Sequence, residues 1–166
     1  MLDTIPIGGL FAFFNWLPLF VLRRFFPPAK IAQLIYVDIK PRSRATLDLG
    51  QAASFTIYLQ AINLSPFVVE LDRASFRFYC GGQTINASIL NKQAIMPGAT
   101  AVLSIHENIP DGHANTMVSF LDRNPQALDG NIEFNCKLHP FAKNIGRLDG
   151  LDLNVYGQEH RQPPTA

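Results

Sequence analysis

The residues best suited to chemistry in this chain are Cys136 and His139, which are separated by two residues. A thiolate and an imidazole at that spacing can hold zinc, and Cys80, the only other cysteine, is the third candidate ligand. Cys136, however, falls on the apolar side of an alternating pattern, where a free cysteine packs as a small hydrophobic side chain. We therefore predict a buried cysteine here and no metal site.

Two aspartates near the C-terminus are a weaker candidate for a cation site. Asp149 and Asp152 enclose Gly150, as acidic residues do in a calcium loop, but their spacing differs from that of an EF-hand. A solvated turn is the better interpretation. His106 and His113 lie close together in the sequence, and we interpret them as surface residues rather than as a pair of ligands.

Known catalytic motifs are missing from the chain. It has no G-x-S-x-G elbow, no phosphate-binding loop and no H-E-x-x-H zinc signature. Its formal net charge of +1 provides no strong field that would steer a nucleic acid. We therefore expect a protein that is not an enzyme, uses no cofactor and binds no nucleic acid, and the sequence identifies no small-molecule substrate.

The elements that must position these side chains are mostly strands. The clearest strand places Ile132 and Phe134 on one face and Glu133 on the other, which predicts one face on a core and one in water. Gly81-Gly82 marks a hairpin turn. About seven strands predict an Ig-like antiparallel β-sandwich for residues 29–157. The candidate strands cover residues 34–39, 55–62, 67–71 leading to 76–80, 84–90, 101–106, 131–138 and 151–155.

One segment departs from this period of two. His113 to Leu128 has apolar residues at helical spacing, which predicts a single helix inserted between strands. Asp111 is a candidate cap for its start, and Asn124-Pro125 is the predicted stop. The polar residues 158–166 are predicted to form a flexible tail.

An uncharged apolar run from Ile5 to Leu22 precedes the strands. As a helix it would rise about 27 Å, just short of the roughly 30 Å hydrocarbon core of a bilayer. We predict a membrane anchor, followed by Pro27-Pro28 as an extended spacer. The anchor residues are Ile5, Leu10, Phe11, Phe13, Phe14, Trp16, Leu17, Leu19, Phe20, Val21 and Leu22.

The anchor has alternatives. A secretory signal peptide needs a basic start and small residues at a cleavage site, whereas this run follows Asp3 and ends in Arg23-Arg24. Asn15 and Trp16 stand in mid-run, and Pro18 removes a backbone donor and predicts a kink. We favour a spanning helix, but an interfacial or re-entrant helix and a helix buried in a protein partner both stay open.

Basic residues crowd the C-terminal side of this run. Arg23, Arg24 and Lys30 stand closest to the predicted membrane, and only Asp38 is acidic between positions 23 and 44. The positive-inside rule then predicts a single-pass membrane protein with its C-terminal domain in the cytoplasm. These residues could also rest on anionic headgroups at roughly 1 kcal/mol each, although a simple stop-transfer flank is the preferred interpretation.

Four short features carry a family resemblance: the Asn-containing turn of Ala61–Phe67, the strand and glycine pair of Phe76–Gly82, the turn of Ile95–Ala99 and the strand of Gly130–Phe134. In this order they resemble the LEA-2 family, also called LEA14 or water stress and hypersensitive response domains. The family's Asn-Pro pair is interrupted here, since two residues separate Asn63 from Pro66. The resemblance implies an Ig-like sandwich with one helix, no catalytic residues, and membrane-associated or stress-linked binding.

Two functions follow as hypotheses. The first is a non-enzymatic, membrane-anchored β-sandwich that binds a protein or lipid partner. The second is a structural subunit of a large membrane, envelope or viral assembly, in which the N-terminal helix packs on protein. Asn15, Trp16 and Pro18 favour the second slightly, because each prefers a protein neighbour to bare lipid.

Overall fold

Strands with one apolar face must cover that face with a second layer, and this chain does so with two β-sheets. The computed structural model describes residues 17–160, which are mainly β with few helices. The strands are β1 (Ile35–Ile39), β2 (Ala45–Asp48), β3 (Ser54–Asn63), β4 (Val69–Cys80), β5 (Gln83–Ile89), β6 (Gln93–Ile95), β7 (Thr100–Asn108), β8 (Ala127–Cys136), β9 (Phe141–Asn144), β10 (Leu148–Asp149) and β11 (Leu153–Tyr156).

The first sheet is built around β3. β1 and β2 pair antiparallel with successive parts of one edge of β3, and β7 pairs antiparallel with the other edge. β11 pairs with β2 in parallel, so the prediction of a wholly antiparallel sandwich is wrong at this pair.

The second sheet is built around β4 and β8. Their antiparallel ladder runs from Val69 opposite Cys136 to Tyr79 opposite Ala127, with an irregularity between Leu71 and Arg73. β5 and β6 pair with the other edge of β4, while β9 and β10 pair with the far edge of β8.

The core lies between the two sheets. The ring of Phe55 in β3 lies 4.6 Å, centroid to centroid, from that of Phe78 in β4, so the contact joins the sheets. Phe134 is 1% exposed, which confirms its predicted place in the core. Glu133 lies on the opposite face, where it pairs with Arg73 at 2.7 Å. The predicted register of β8 is therefore correct.

The predicted hairpin at Gly81-Gly82 is confirmed. Cys80 pairs with Gln83 across these two residues, whose φ angles of 53° and 74° are characteristic of a tight hairpin turn. A Cβ atom on Gly81 would lie 2.6 Å from the Cα of Met117, so the position also needs glycine for space.

Met117 belongs to the predicted helix, α3 (Asp111–Phe120). Its N-cap is Pro110, and Asp111 is the first helical residue rather than the cap. The helix ends at Phe120, before the predicted stop at Asn124-Pro125. Leu128, which belongs to the predicted helical pattern, is instead a buried residue of β8 that pairs with Leu148. Gln158–His160, at the start of the predicted flexible tail, forms a short 3-10 turn, and residues 161–166 of that tail lie outside the described residues.

The estimate of about seven strands is too low, since the described residues contain eleven. Four strands were not predicted as separate elements: β2, β6, β9 and β10. Each has four residues or fewer. So few positions give too few repeats of the alternation to predict a strand; β11, also of four residues, was predicted because its alternation extends back to Leu151.

Two short helices precede β1, namely α1 (Leu19–Phe25) and α2 (Pro28–Gln33). Leu22 of α1 and Ile31 of α2 are buried in the core. Pro27 has an extended backbone, as predicted for the spacer, but Pro28 occupies the first turn of α2, a position that suits proline, so the extended interpretation is wrong for Pro28.

The predicted anchor is described only in part. Pro18 has an extended backbone (ψ 140°) and α1 begins after it, so the predicted helix is interrupted at Pro18, where the sequence predicts a kink. Among residues 17–160, no helix combines the length and apolar character needed to cross a membrane. The predicted anchor residues that lie outside the described range are Ile5, Leu10, Phe11, Phe13, Phe14 and Trp16.

Candidate functional site: the apolar-basic end of the sandwich

A buried polar network shapes one end of the sandwich, where β3 turns into β4. The Asn63 amide nitrogen donates hydrogen bonds to the carbonyl oxygens of Phe67 (2.7 Å) and Ile95 (2.9 Å). Its amide oxygen accepts bonds from the Ser65 amide (3.0 Å) and hydroxyl (2.6 Å). Every hydrogen-bonding position of the Asn63 side chain is therefore used, as a buried amide requires.

The Asn63 backbone extends this network to a third segment. The Gly98 amide donates to the Asn63 carbonyl at 2.7 Å, and the Asn63 amide donates to the Ala99 carbonyl at 3.0 Å. The Pro97-Gly98 turn is thereby held beside the β3–β4 turn. As a result, residues around positions 64–68 and 96–98 share one end of the molecule.

The two N-terminal helices pack on the same end. The Phe26 ring meets the Phe67 ring edge to face, with centroids 5.0 Å apart. The Leu64 amide donates to the Leu34 carbonyl, at the C-terminus of α2, at 2.8 Å. Leu22, one turn before Phe26, is only 1% exposed. The α1–α2 segment is thus part of the folded sandwich.

Large apolar side chains nevertheless remain exposed at this end. Phe20 of α1 is 75% exposed and Leu19 is 51% exposed, because Leu22 and Phe26 occupy the face of the segment that packs on the sandwich. Others surround the Asn63 network. The exposed apolar set is Leu19, Phe20, Phe25, Leu64, Val68 and Met96.

Basic side chains accompany this exposed apolar set. The Lys30 ammonium lies 5.1 Å from the centroid of the Phe26 ring, and the Lys137 ammonium lies 5.5 Å from that of Phe67. Arg23 and Arg24 are exposed on α1. Residues 17–34, 63–69 and 95–100, which supply all of this surface except Lys137, contain no aspartate or glutamate.

We call this surface the apolar-basic end: the exposed apolar set together with Arg23, Arg24, Lys30 and Lys137. Such a surface can bury apolar side chains against a partner while its cations approach anionic groups. Of the predicted basic residues, Arg23, Arg24 and Lys30 all belong to it. Of the predicted anchor residues, Leu19 and Phe20 contribute to it, whereas Leu22 is buried and Leu17 and Val21 are half-buried.

Sequence reasoning missed Leu64, Val68, Met96 and Lys137 as members of this surface. Each looks unremarkable in its own segment, since single exposed apolar residues are common. The available signal was the run of apolar residues inside two turns that also carry proline, Leu64 to Val69 and Ile95 to Pro97. A turn that exposes apolar side chains suggests that something covers them.

The cysteines do not form a metal site. Cys136 lies opposite Val69 at the start of β4, whereas Cys80 is the last residue of β4, about 30 Å or more along the ladder. Cys80 is therefore too distant to be a third ligand or a disulfide partner. Cys136 is half-buried against the core rather than fully buried. Burial raises the pKa of the Cys80 thiol to about 11.

The other candidate ligands have different partners. The Asp149 carboxylate pairs with Arg147 at 2.8 Å and the Asp152 carboxylate with Arg44 at 3.0 Å, as expected for solvated turns. His106 shares a hydrogen bond of 3.0 Å with the Thr56 hydroxyl. Within residues 17–160, no group of three histidine, cysteine, aspartate or glutamate side chains is placed to hold a metal ion.

His113 differs from the prediction of a surface residue. It is half-buried in the first turn of α3, and its Nδ1 atom is buried without a hydrogen-bond partner among the described residues.

No family model and no curated protein matches this chain. Among solved structures, the X-ray structure of Northeast Structural Genomics Consortium target SoR45 is similar, with a TM-score of 0.51 and 15% identity over 72% of this chain and 87% of that chain. This likeness shows a shared fold and nothing further.

Other solved structures are less similar to this chain. The putative ApaA protein from Bordetella pertussis has a TM-score of 0.44 and 12% identity over 69% of this chain and 86% of that chain. A putative late embryogenesis abundant protein has a TM-score of 0.35 and 10% identity over 88% of each chain. Neither is close enough to decide a family.

Proposed function

We propose that this protein is a non-enzymatic β-sandwich that associates with a membrane surface through its apolar-basic end and the apolar residues that precede it. The observation that carries the proposal is the exposure of Leu19, Phe20 and Phe25 beside Arg23 and Arg24. An interfacial segment places apolar side chains into the headgroup region while arginines contact anionic lipids.

The burial of Leu22 supports interfacial association over a spanning helix. Because α1 begins only after Pro18 and its Leu22 lies in the core, the uncharged run that could cross a bilayer as one uninterrupted helix is limited to Ile5–Leu17. A helix of that length would rise only about 20 Å, against a hydrocarbon core of roughly 30 Å. A short run of this kind is suited to lie at the interface or to enter it partly.

The charge pattern of the apolar-basic end supports association with an anionic membrane. Each basic residue near an anionic surface contributes roughly 1 kcal/mol, so Arg23 and Arg24 together supply about 2 kcal/mol. Each phenylalanine that leaves water adds about 1.5–3 kcal/mol when fully buried. A cytoplasmic location for the sandwich is part of the proposal, because the negative surface potential that would attract these basic residues belongs to the cytoplasmic leaflet.

We also propose an Ig-like, LEA-2-like sandwich with no catalytic site. Its support is that three of the turns on which the resemblance rests are formed, at Asn63–Phe67, Gly81-Gly82 and Pro97-Gly98.

The second candidate, a subunit of a larger assembly, is favoured by one observation. Leu22 and Phe26 of the N-terminal segment pack on protein, in this case on their own sandwich. In such an assembly a protein partner would cover the exposed apolar set in place of lipid.

Flotation with lipid vesicles tests the proposal. Two vesicles are compared, one of phosphatidylcholine alone and one of phosphatidylcholine with phosphatidylserine. The full chain should float with the vesicles that contain phosphatidylserine, and a variant without residues 1–16 should bind these vesicles more weakly. Arg23→Ala/Arg24→Ala in the full chain should lower the preference for phosphatidylserine by about 30-fold, which corresponds to about 2 kcal/mol.

Arg42→Ala/Arg44→Ala is the matched control, because it also removes two positive charges. Both residues lie in the loop that follows β1. Asn63 pairs with Ile35 at the opposite end of that strand. It should leave flotation unchanged. A full chain that floats with neither vesicle, or a control that weakens binding as much as the test variant, would contradict association through the apolar-basic end.

A further inference from the structure

A groove of about 630 Å³ lies on the outer face of the second sheet, away from the apolar-basic end. It is open to solvent and combines outward-facing side chains of β4, β5 and β8 with a wall from the loop between β9 and β10. Ser75, which lines the groove, lies six residues after Val69 in β4. It is therefore about 20 Å along the strand from the apolar-basic end, which lies beside Val69.

Uncharged hydrogen-bonding side chains form a row across this groove. Ser75 of β4 lies opposite Ser88 of β5 and opposite Asn131 of β8, and Asn131 lies opposite Asn144 of β9. Because neighbouring strands are about 4.8 Å apart, the row spans roughly 14 Å. Two hydroxyls and two amides are thus presented side by side over the length of two to three sugar rings.

Charged side chains form a second row, and their charges cancel. Arg77 donates two hydrogen bonds to Asp129, at 2.8 and 3.0 Å, and Asp129 also accepts one from the Tyr79 hydroxyl at 2.9 Å. Arg147, in the loop wall, pairs with Asp149 at 2.8 Å. Both guanidinium groups are therefore engaged with carboxylates and attract a phosphate or carboxylate ligand only weakly.

Two further side chains complete the lining. Asn86 lies opposite Arg77 and adds another amide, and Glu107 of β7 adds a carboxylate at the rim. A carboxylate repels anions but accepts hydrogen bonds from hydroxyl groups. The chemistry of the groove favours a neutral ligand with many hydroxyls.

We propose that this groove binds a neutral, hydroxyl-rich ligand, an oligosaccharide of two or three rings. Phe76, the aromatic residue of the lining, is buried in the core and offers no ring face on which a sugar could stack. Hydrogen bonds that replace bonds to water contribute little net free energy. Binding is therefore expected at millimolar concentrations.

The test is a titration of the ¹⁵N-labelled full chain, in a detergent without a sugar headgroup, with maltotriose, cellotriose and chitotriose, followed by NMR. At least one trisaccharide should give saturable shifts of the backbone amides of Ser75, Ser88 and Asn131. Ser88→Leu, which places an apolar side chain in the row, should weaken that binding at least tenfold while the rest of the spectrum shows an intact fold.

Thr84→Leu is the matched control, because Thr84 is exposed on the same face of β5 but does not line the groove. It should bind like the unmodified chain. The proposal is overturned if none of the three trisaccharides shifts these amides, if inorganic phosphate shifts them more strongly than the sugars, or if Ser88→Leu binds as well as Thr84→Leu.

Discussion

Replacing Leu22 by alanine tests whether the end of the N-terminal apolar run belongs to the sandwich or to lipid. Leu22 is 1% exposed and lies in the same buried cluster as the strands. Leu→Ala at a buried site removes the transfer free energy of the lost carbons and leaves a cavity, with a total cost of 2–5 kcal/mol. The short helix α1 can shift to fill part of that cavity, so we expect about 2–3 kcal/mol.

Leu19→Ala is the control, because it makes the same change one turn earlier in α1, where the side chain is 51% exposed. The change in helix propensity is similar, and little buried surface is lost. We expect a cost of less than about 0.5 kcal/mol.

The assay is urea unfolding of both variants in the same buffer and detergent, followed by circular dichroism of the β-rich domain. The midpoint should fall for Leu22→Ala with an unchanged slope. In a spanning helix both leucines would face lipid or a partner, and neither would alter unfolding of the sandwich. Equal midpoints for the two variants would therefore refute the packing of Leu22 in the core.

The remaining predictions concern the sandwich itself. Asn63→Ala should cost about 3–5 kcal/mol in urea unfolding, since it leaves buried carbonyl and hydroxyl groups without partners, whereas Asn108→Ala, an exposed change at the end of β7, should be nearly silent. Phe134→Ala should cost about 3–5 kcal/mol and Glu133→Ala less than about 1 kcal/mol; similar costs would show that the register of β8 is wrong. A pKa of about 11 for Cys80, against an ordinary 9.0, reduces its thiolate by about 100-fold at pH 8. Iodoacetamide should therefore modify Cys80 much more slowly in the native chain than in urea, as peptide mass spectrometry can measure, and equal rates would exclude its burial.

The raised pKa of Cys80 also sets the sign of a pH effect. The thiol form fits the core, and the raised folded pKa means that this contribution to stability is present below pH 9 and is lost as the pH rises towards 11. In a comparison with Cys80→Ala, the excess stability of the unmodified chain should decrease over that interval.

The long strands could be predicted from sequence because their side chains alternate. In β3, β7 and the second half of β8, apolar residues recur at every second position, and these are the positions that the structure buries most deeply. The hairpin at Gly81-Gly82 was equally visible, since two consecutive glycines adopt positive φ without steric cost. Short strands such as β6 and β10 were not visible, because strand partners rather than local pattern define them.

The sequence by itself determined that the first part of the chain is apolar and that basic residues follow it. Only the tertiary structure decided that Leu22 and Phe26 pack on the sandwich while Phe20 remains exposed. An apolar side chain gains free energy when it leaves water, and the sequence pattern is the same whether lipid or protein replaces that water. The apolar-basic end likewise joins segments about 30 residues apart in sequence, and the hydrogen bonds of Asn63 bring them together. Such a surface exists only after folding, because no single segment contains it.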